Sequence, residues 1–175
     1  MRYHAAVERR IRELGLTFTF LRPNLYLQGL LAFQTIIANE GRFIAPIGEA
    51  RVSAVDERDI ASVAAIALTQ GGHEGRTYTI TGPQAVTHGE MATAIGAATG
   101  PSVTFIDVPP AVFSAALLSA GLPAWQVDGL IEDYAHYARG EAAAALPTVR
   151  DVTGRNPRDV TAFARDYAPA FVHGQ

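Results

Sequence analysis

Tyr3, Val7, Ile11 and Leu14 recur at spacings of four and three, one stripe of a helical period, and Gly15 follows as a stop, so the chain opens inside a helix. Leu16 to Leu21 is a β-branched and aromatic run that breaks at Arg22-Pro23-Asn24, which predicts a strand and a turn. Leu25 to Glu40 is mostly apolar and closes at Gly41: a second helix. Arg42 to Ile47 and Arg51 to Val55 are short extended segments. A helix then follows, capped by Asp56 or Asp59, with Ile60, Val63, Ala64 and Ala67 on its buried face and Gly71-Gly72 at its end.

Arg76 to Thr81 alternates Tyr78 and Ile80 as a strand does, and Thr87-His88-Gly89-Glu90 has the S/T-x-x-E form that starts a helix running to about Thr99. Val103 to Val108 is the last clear strand. Pro109-Pro110 opens a helix to Gly121, Pro123 opens a longer one to about Arg139, and Asn156-Pro157 caps a final helix with Val160, Phe163, Ala164 and Tyr167 on its apolar face. Strands alternating with helices predict an α/β protein with parallel pairing. The pattern fades near residues 140 to 153, the expected seam.

Composition narrows the chemistry. At 175 residues and 49% hydrophobic, the chain is long enough to bury a core without staples, and with no cysteine it has no disulfide, thiolate metal site or cysteine nucleophile. Every cation among the 14 Lys+Arg is arginine, which removes Schiff-base lysines and the P-loop ammonium. A net charge of −3 argues against a nucleic-acid surface, and the apolar stretches break well before the roughly 20 residues a membrane span needs. The N-terminus has no signal-peptide pattern either, so the expectation is a cytoplasmic protein.

No G-x-G-x-x-G follows a predicted strand, and Gly71-Gly72-His73-Glu74-Gly75 comes after a helix, the wrong order for cradling phosphate. His4 and Glu8 share a helix face, as do Glu132 and His136; two ligands make no metal site, and an orienting pair or a solvated face is the better reading of each. Arg22-Pro23-Asn24 is the best-placed polar group, because ligands of open α/β sheets bind beyond the carboxyl ends of strands. Turn formation by Pro23 and capping by Asn24 explain it equally well. Trp125, near Phe113, Leu117 and Leu118, is a candidate pocket wall or a core residue.

His4-x-x-x-Glu8, the run from Gly15 to Asn24, Gly41-Arg42-Phe43, Val55-Asp56-x-x-Asp59-Ile60-Ala61, Tyr78-x-Ile80-Thr81-Gly82-Pro83, the Thr87-to-Glu90 box, Val108-Pro109 and Gly121-Leu122-Pro123-x-Trp125 occur in an order that resembles the NmrA-like atypical short-chain dehydrogenases. The resemblance implies the C-terminal portion of a Rossmann-like NAD(P)-binding fold with a small helical substrate-binding part. Residues 1–70 correspond to the remainder of the Rossmann-like core and 71–175 mainly to the substrate-binding part and C-terminal helices. The family's glycine-rich nucleotide-binding half has no counterpart here, so Met1 reads as the start of a truncated chain. His4 stands where classical members carry lysine, as in the quinone and azo reductase branch, and the tyrosine of the Tyr-x-x-x-Lys pair falls before Met1.

The resemblance therefore implies His4, Arg22, Pro23 and Asn24 beside an NADP or NAD cofactor. Tyr26, Gln28 and Trp125 are expected to face a small aromatic or quinone-like acceptor across an apolar pocket. The leading expectation is a truncated NAD(P)-dependent oxidoreductase, inactive alone; the alternative is a non-catalytic nucleotide-sensing or protein-binding module of NmrA type. Missing early strands further predict an exposed sheet edge and self-association.

Overall fold

A computed structural model describes residues 2–172. Met1 and the side chain of Tyr3, the first member of the opening stripe, lie outside what is described. Helix α1 spans Arg2–Glu13 and strand β1 spans Thr19–Pro23. A 3-10 segment, Leu27–Phe33, runs into α2, Gln34–Glu40, where the sequence pattern predicts one continuous helix from Leu25. Then come β2 (Arg42–Ala45), α3 (Glu57–Thr69), β3 (Arg76–Ile80), α4 (His88–Thr99) and β4 (Thr104–Asp107). Helices α5 (Pro110–Ser119), α6 (Ala124–Ala138), α7 (Thr148–Thr153) and α8 (Val160–Asp166) complete the chain before a short 3-10 turn at Ala168–Phe171.

The architecture is α/β with parallel pairing, in two strand pairs that interleave along the chain. β1 pairs with β3 from Thr19 opposite Arg76 to Pro23 opposite Ile80, and β2 pairs with β4 from Arg42 opposite Thr104 to Ala45 opposite Asp107. Residues on both sides of position 70 thus enter both pairs. Val55, Val63, Ile80 and Val149 bury one small core between the first pair, α3 and α7. A second core around Phe43, Met91, Ile95 and Phe163 joins α4 and α8, and a third around Ala45, Phe113, Val127 and Tyr134 joins β2, α5 and α6.

Local chemistry sets the element ends. Of the two acids expected to cap α3, Asp56 does so, accepting a hydrogen bond from the backbone N–H of Arg58. Asp59 is buried and accepts from the backbone N–H and the guanidinium of Arg158, tying the C-terminal loop to α3. The Thr87–Glu90 capping box forms as its spacing predicts. The last helix is capped by Asp159, whose side chain accepts from the N–H of Ala162, and starts three residues beyond Pro157, which corrects the expected Asn156-Pro157 cap. Gly82 admits a close approach: a Cβ there would sit 2.0 Å from the carbonyl oxygen of Ala54.

The stripe on α1 does not face a core. Val7 is 57% and Leu14 54% exposed, and Leu16 just beyond is also open. Among the described residues β1 has a strand partner on one side only. Phe18 and Phe20 stack on each other with centroids 4.1 Å apart, the Arg12 guanidinium lying over both rings.

Candidate functional site

Asn24, expected at the site from the sequence, is joined by Ser53 and Thr81 at the carboxyl ends of β1 and β3, where residues 142–146 pass as a strap. Asn24, next after β1, donates through Nδ2 to Ser53 Oγ at 2.8 Å and to the Ala142 carbonyl at 2.9 Å, while its Oδ1 accepts from the N–H of Leu25. Ser53 donates its backbone N–H to Ala142 and its hydroxyl to the Ala144 carbonyl at 2.7 Å. Thr81, next after β3, accepts from the N–H of Leu146 at 2.8 Å. Three side chains thus hold one extended segment by its backbone.

That strap follows α6 directly, so anchoring it also places the last two turns of the helix. Asp133 and Tyr137 are four residues apart on α6 and share a face. Tyr137 feels the charge of Asp133 and would feel that of Tyr26, and Asp133 feels His4 of α1. Asp133 thus lies within electrostatic reach of His4, and Tyr137 within reach of Asp133 and Tyr26. Burial raises the pKa of Asp133 above the usual carboxylate range. Burial first, then Asp133 and Tyr26, pushes the Tyr137 phenol up to about 12, and burial followed by Glu57 raises that of Tyr26. Both phenols stay protonated at neutral pH.

The other expected site residues have their polar groups committed within the fold. Arg22 makes a two-pronged pair with Glu8, Nε to Oε1 at 2.9 Å and a terminal nitrogen to Oε2 at 2.5 Å, which holds the Glu8 carboxyl below its usual range. That pairing bolts α1 to the end of β1 and takes Glu8 away from any joint ligand role with His4. Gln28 accepts from the N–H of Glu57 at the start of α3 and donates toward the Tyr167 hydroxyl. Burial pushes the Asp56 carboxyl up, but Arg58 and then Gln28 more than offset it and hold it low. His136 is paired with Glu141 and Arg139.

Trp125 is 76% exposed in the first turn of α6. It lies roughly 18 Å along the helix from Tyr137. A cleft of about 640 Å³ opens elsewhere, between α4 and α8, with Arg51, Glu90, Ala94, Val160 and Arg165 among its walls. Arg51 is occupied there by a bidentate pair with Glu90. No group of three or more metal-ligating side chains occurs among the described residues, and no described helix is long and apolar enough to cross a membrane.

The placement of Asp133 and Tyr137 near Tyr26 and His4 was not visible in the sequence. Their i, i+4 spacing was available, but nothing local says that α6 ends over the β1 turn; the strap contacts that place it join residues 29 to 118 positions apart.

The profile of the NmrA-like family matches residues 3–146. The chain belongs to the NmrA-like family. It is 38% identical over 164 residues to NAD(P)H azoreductase of Xenophilus azovorans, a match covering 94% of this chain and 57% of that protein. It is 31% identical over 143 residues to quinone oxidoreductase 2 of Escherichia coli (strain K12), covering 82% of this chain and 49% of the relative.

Among solved structures, an NADPH-dependent quinone oxidoreductase from Escherichia coli superposes with a TM-score of 0.86 at 26% identity, over 94% of this chain and 60% of that one. The NmrA negative transcriptional regulator in complex with NAD superposes at 0.68 with 17% identity over 93% and 56%, a likeness of fold alone. The chain thus spans about half the length of the curated relatives it matches.

Nicotinamide dinucleotides need a diphosphate cradle, and the described residues do not fit one. At the turn after β1 the Asn24 amide is bound by the strap and Leu25, at the turn after β3 Thr81 is bound by Leu146, and the space over Gly82 is filled by the Ala54 carbonyl.

Proposed function

We propose that these residues form the acceptor-side wall of an NAD(P)H-dependent reductase of quinone- or azo-type compounds. The diphosphate of the cofactor would be gripped by polypeptide outside them, so the 175 residues alone are inactive. The observation that carries this reading is the anchoring of the strap by Asn24, Ser53 and Thr81 beyond the carboxyl ends of β1 and β3, the position at which open α/β sheets bind ligands, with Tyr137 of the preceding helix in electrostatic reach of Tyr26. The names of the azoreductase and quinone oxidoreductase relatives support the acceptor class.

A bound nicotinamide supplies the hydride; this chain's part is to hold and shield the acceptor. Tyr26 and the Tyr137 ring offer flat apolar walls with hydroxyl edges, suited to a planar conjugated molecule. His4 presents an imidazole at the rim. The turn Arg22-Pro23-Asn24 serves as the floor on the cofactor's side: Arg22 and Asn24 fix its shape through Glu8 and the strap, leaving the Pro23 ring as its apolar surface. Gln28 supports the start of α3 behind Tyr26, and Trp125 stands as an outlying wall for long acceptors.

Menadione titrated into isotope-labelled protein tests the reading by amide and aromatic chemical shifts. Saturable perturbation centred on Tyr26, Asp133 and Tyr137 is expected; perturbation confined to the α4–α8 cleft, or none, overturns it. A regulatory module of NmrA type is the second reading, favoured by the shared fold with the NAD-bound regulator. It predicts nucleotide binding without acceptor binding at Tyr26 and Tyr137.

A further inference from the structure

The cleft between α4 and α8 shares no residue with the strap, the β1 turn or the walls proposed for the acceptor. Its volume of about 640 Å³ is that of a small-molecule site. It exists because α4 turns small side chains outward: Ala94, Ala97 and Ala98 fall at helical spacing on one face and are too short to close the gap to α8. Beneath them Met91, Ile95, Phe163 and Ala164 are buried in the core that joins the two helices, so the floor is fixed. Val86 and Val160 complete an apolar surface, and no aromatic ring lines it among the described residues. Such a surface fits an aliphatic body and gives a flat ring nothing to stack on.

The polar groups of the rim differ in how far they are committed. Arg51 pairs with both carboxylate oxygens of Glu90 at 2.9 and 3.0 Å, and Glu90 also accepts from the N–H of Thr87. The Thr93 hydroxyl is turned back on the Gly89 carbonyl at 3.0 Å. On α8 the balance is different. Arg165 is largely exposed and meets Asp166 through Nε at 3.3 Å, while the other oxygen of Asp166 is held by Arg58 at 2.9 Å. The terminal nitrogens of Arg165, and the hydroxyl of Thr161 four residues earlier on the same helix face, have no partner among the described residues. The Arg51–Glu90 pair cancels and Asp166 is shared with Arg58, so the cleft presents one uncommitted positive charge beside one free hydroxyl. A carboxylate accepts from both at once.

We infer that the α4–α8 cleft is a second ligand site, for small aliphatic carboxylates, with Arg165 and Thr161 receiving the carboxylate and the alanine floor of α4 receiving the chain. It goes beyond the acceptor reading, and either can fail without the other.

The test is titration of octanoate, octanamide and octylammonium, which share a chain and differ in charge, into the isotope-labelled 175-residue chain at pH 7, followed by amide chemical shifts. Octanoate should shift Ala94, Ala98, Val160 and Thr161 saturably in the millimolar range that about ten non-hydrogen atoms reach. It should bind about fivefold more tightly than octanamide, the scale of one partly exposed charge contact, and octylammonium should bind more weakly than either. Arg165→Gln should remove that preference and leave octanamide binding as it was. Ala97→Leu, which fills the cleft, should abolish binding of both. Arg150→Gln, which removes an exposed arginine of α7 outside the cleft, should change nothing.

Octanoate binding no more tightly than octanamide, a preference that survives Arg165→Gln, or shifts that are absent or lie elsewhere overturn the inference. Thermal melts show which variants keep the fold, and Arg165→Gln, at an exposed side chain, decides the matter even where Ala97→Leu melts early.

Discussion

His88 sits fully buried at the start of α4, against the rings of Phe43 and Phe105 and 3.3 Å from the Tyr134 hydroxyl, with no partner for its Nδ1. Burial holds its pKa down at about 4, against an ordinary value of 6.5. Between those values the unfolded chain takes up a proton that the folded chain refuses. Stability is therefore fully present above about pH 6.5 and is lost as pH falls toward 4, by on the order of 3 kcal/mol from this residue. Urea unfolding at pH 7, 5 and 4 should show that loss, and His88→Leu should flatten the slope; equal slopes in the two proteins would contradict it. The sequence placed His88 inside a capping box but could not show its burial, because Phe43, Phe105 and Tyr134 come from three other elements.

At the scale of elements, spacing and caps were legible wherever a helix carries its own signal. The box at Thr87–Glu90, the Asp56 cap and the Pro110 start all stand where residue chemistry puts them. What failed was local pattern without local cause. Leu25 to Glu40 is apolar throughout but begins as 3-10, with Leu27 and Leu30 buried. Helix α7, of 6 residues, is too short for a periodicity to show, and it docks on α3 and β3 through Val149.

The strap at 142–146 reads as a fading alanine-rich seam and is in fact fixed by Asn24, Ser53 and Thr81. Asn24→Ala removes both amide donations and frees the Ala142 carbonyl, at a cost of about 1–3 kcal/mol. Hydrogen exchange should then quicken across residues 142–146 and chemical shifts move at Asp133 and Tyr137, since the strap sets the end of α6. Unchanged protection of the strap amides would remove Asn24 from that role.

The whole molecule combines buried cores drawn from Leu27 through to Phe171 with an open apolar surface around α1 and β1. β1 pairs on one side, and Val7, Leu14 and Leu16 stand open beside it. An unpaired edge next to exposed apolar side chains favours association. Sedimentation velocity should show concentration-dependent self-association that weakens in Val7→Glu; a monomer at every concentration would contradict this.

That exposure was not legible in the residues alone, because the stripe Val7, Ile11, Leu14 is indistinguishable from one that packs on a core. The sequence did carry the α/β class and the order of elements. The decisive measurement is titration of NADPH into these 175 residues by nicotinamide fluorescence. With Asn24, Ser53 and Thr81 occupied by the strap and no glycine-rich cradle beside them, saturable binding should be absent through the micromolar range. Micromolar binding by this chain alone would contradict the account.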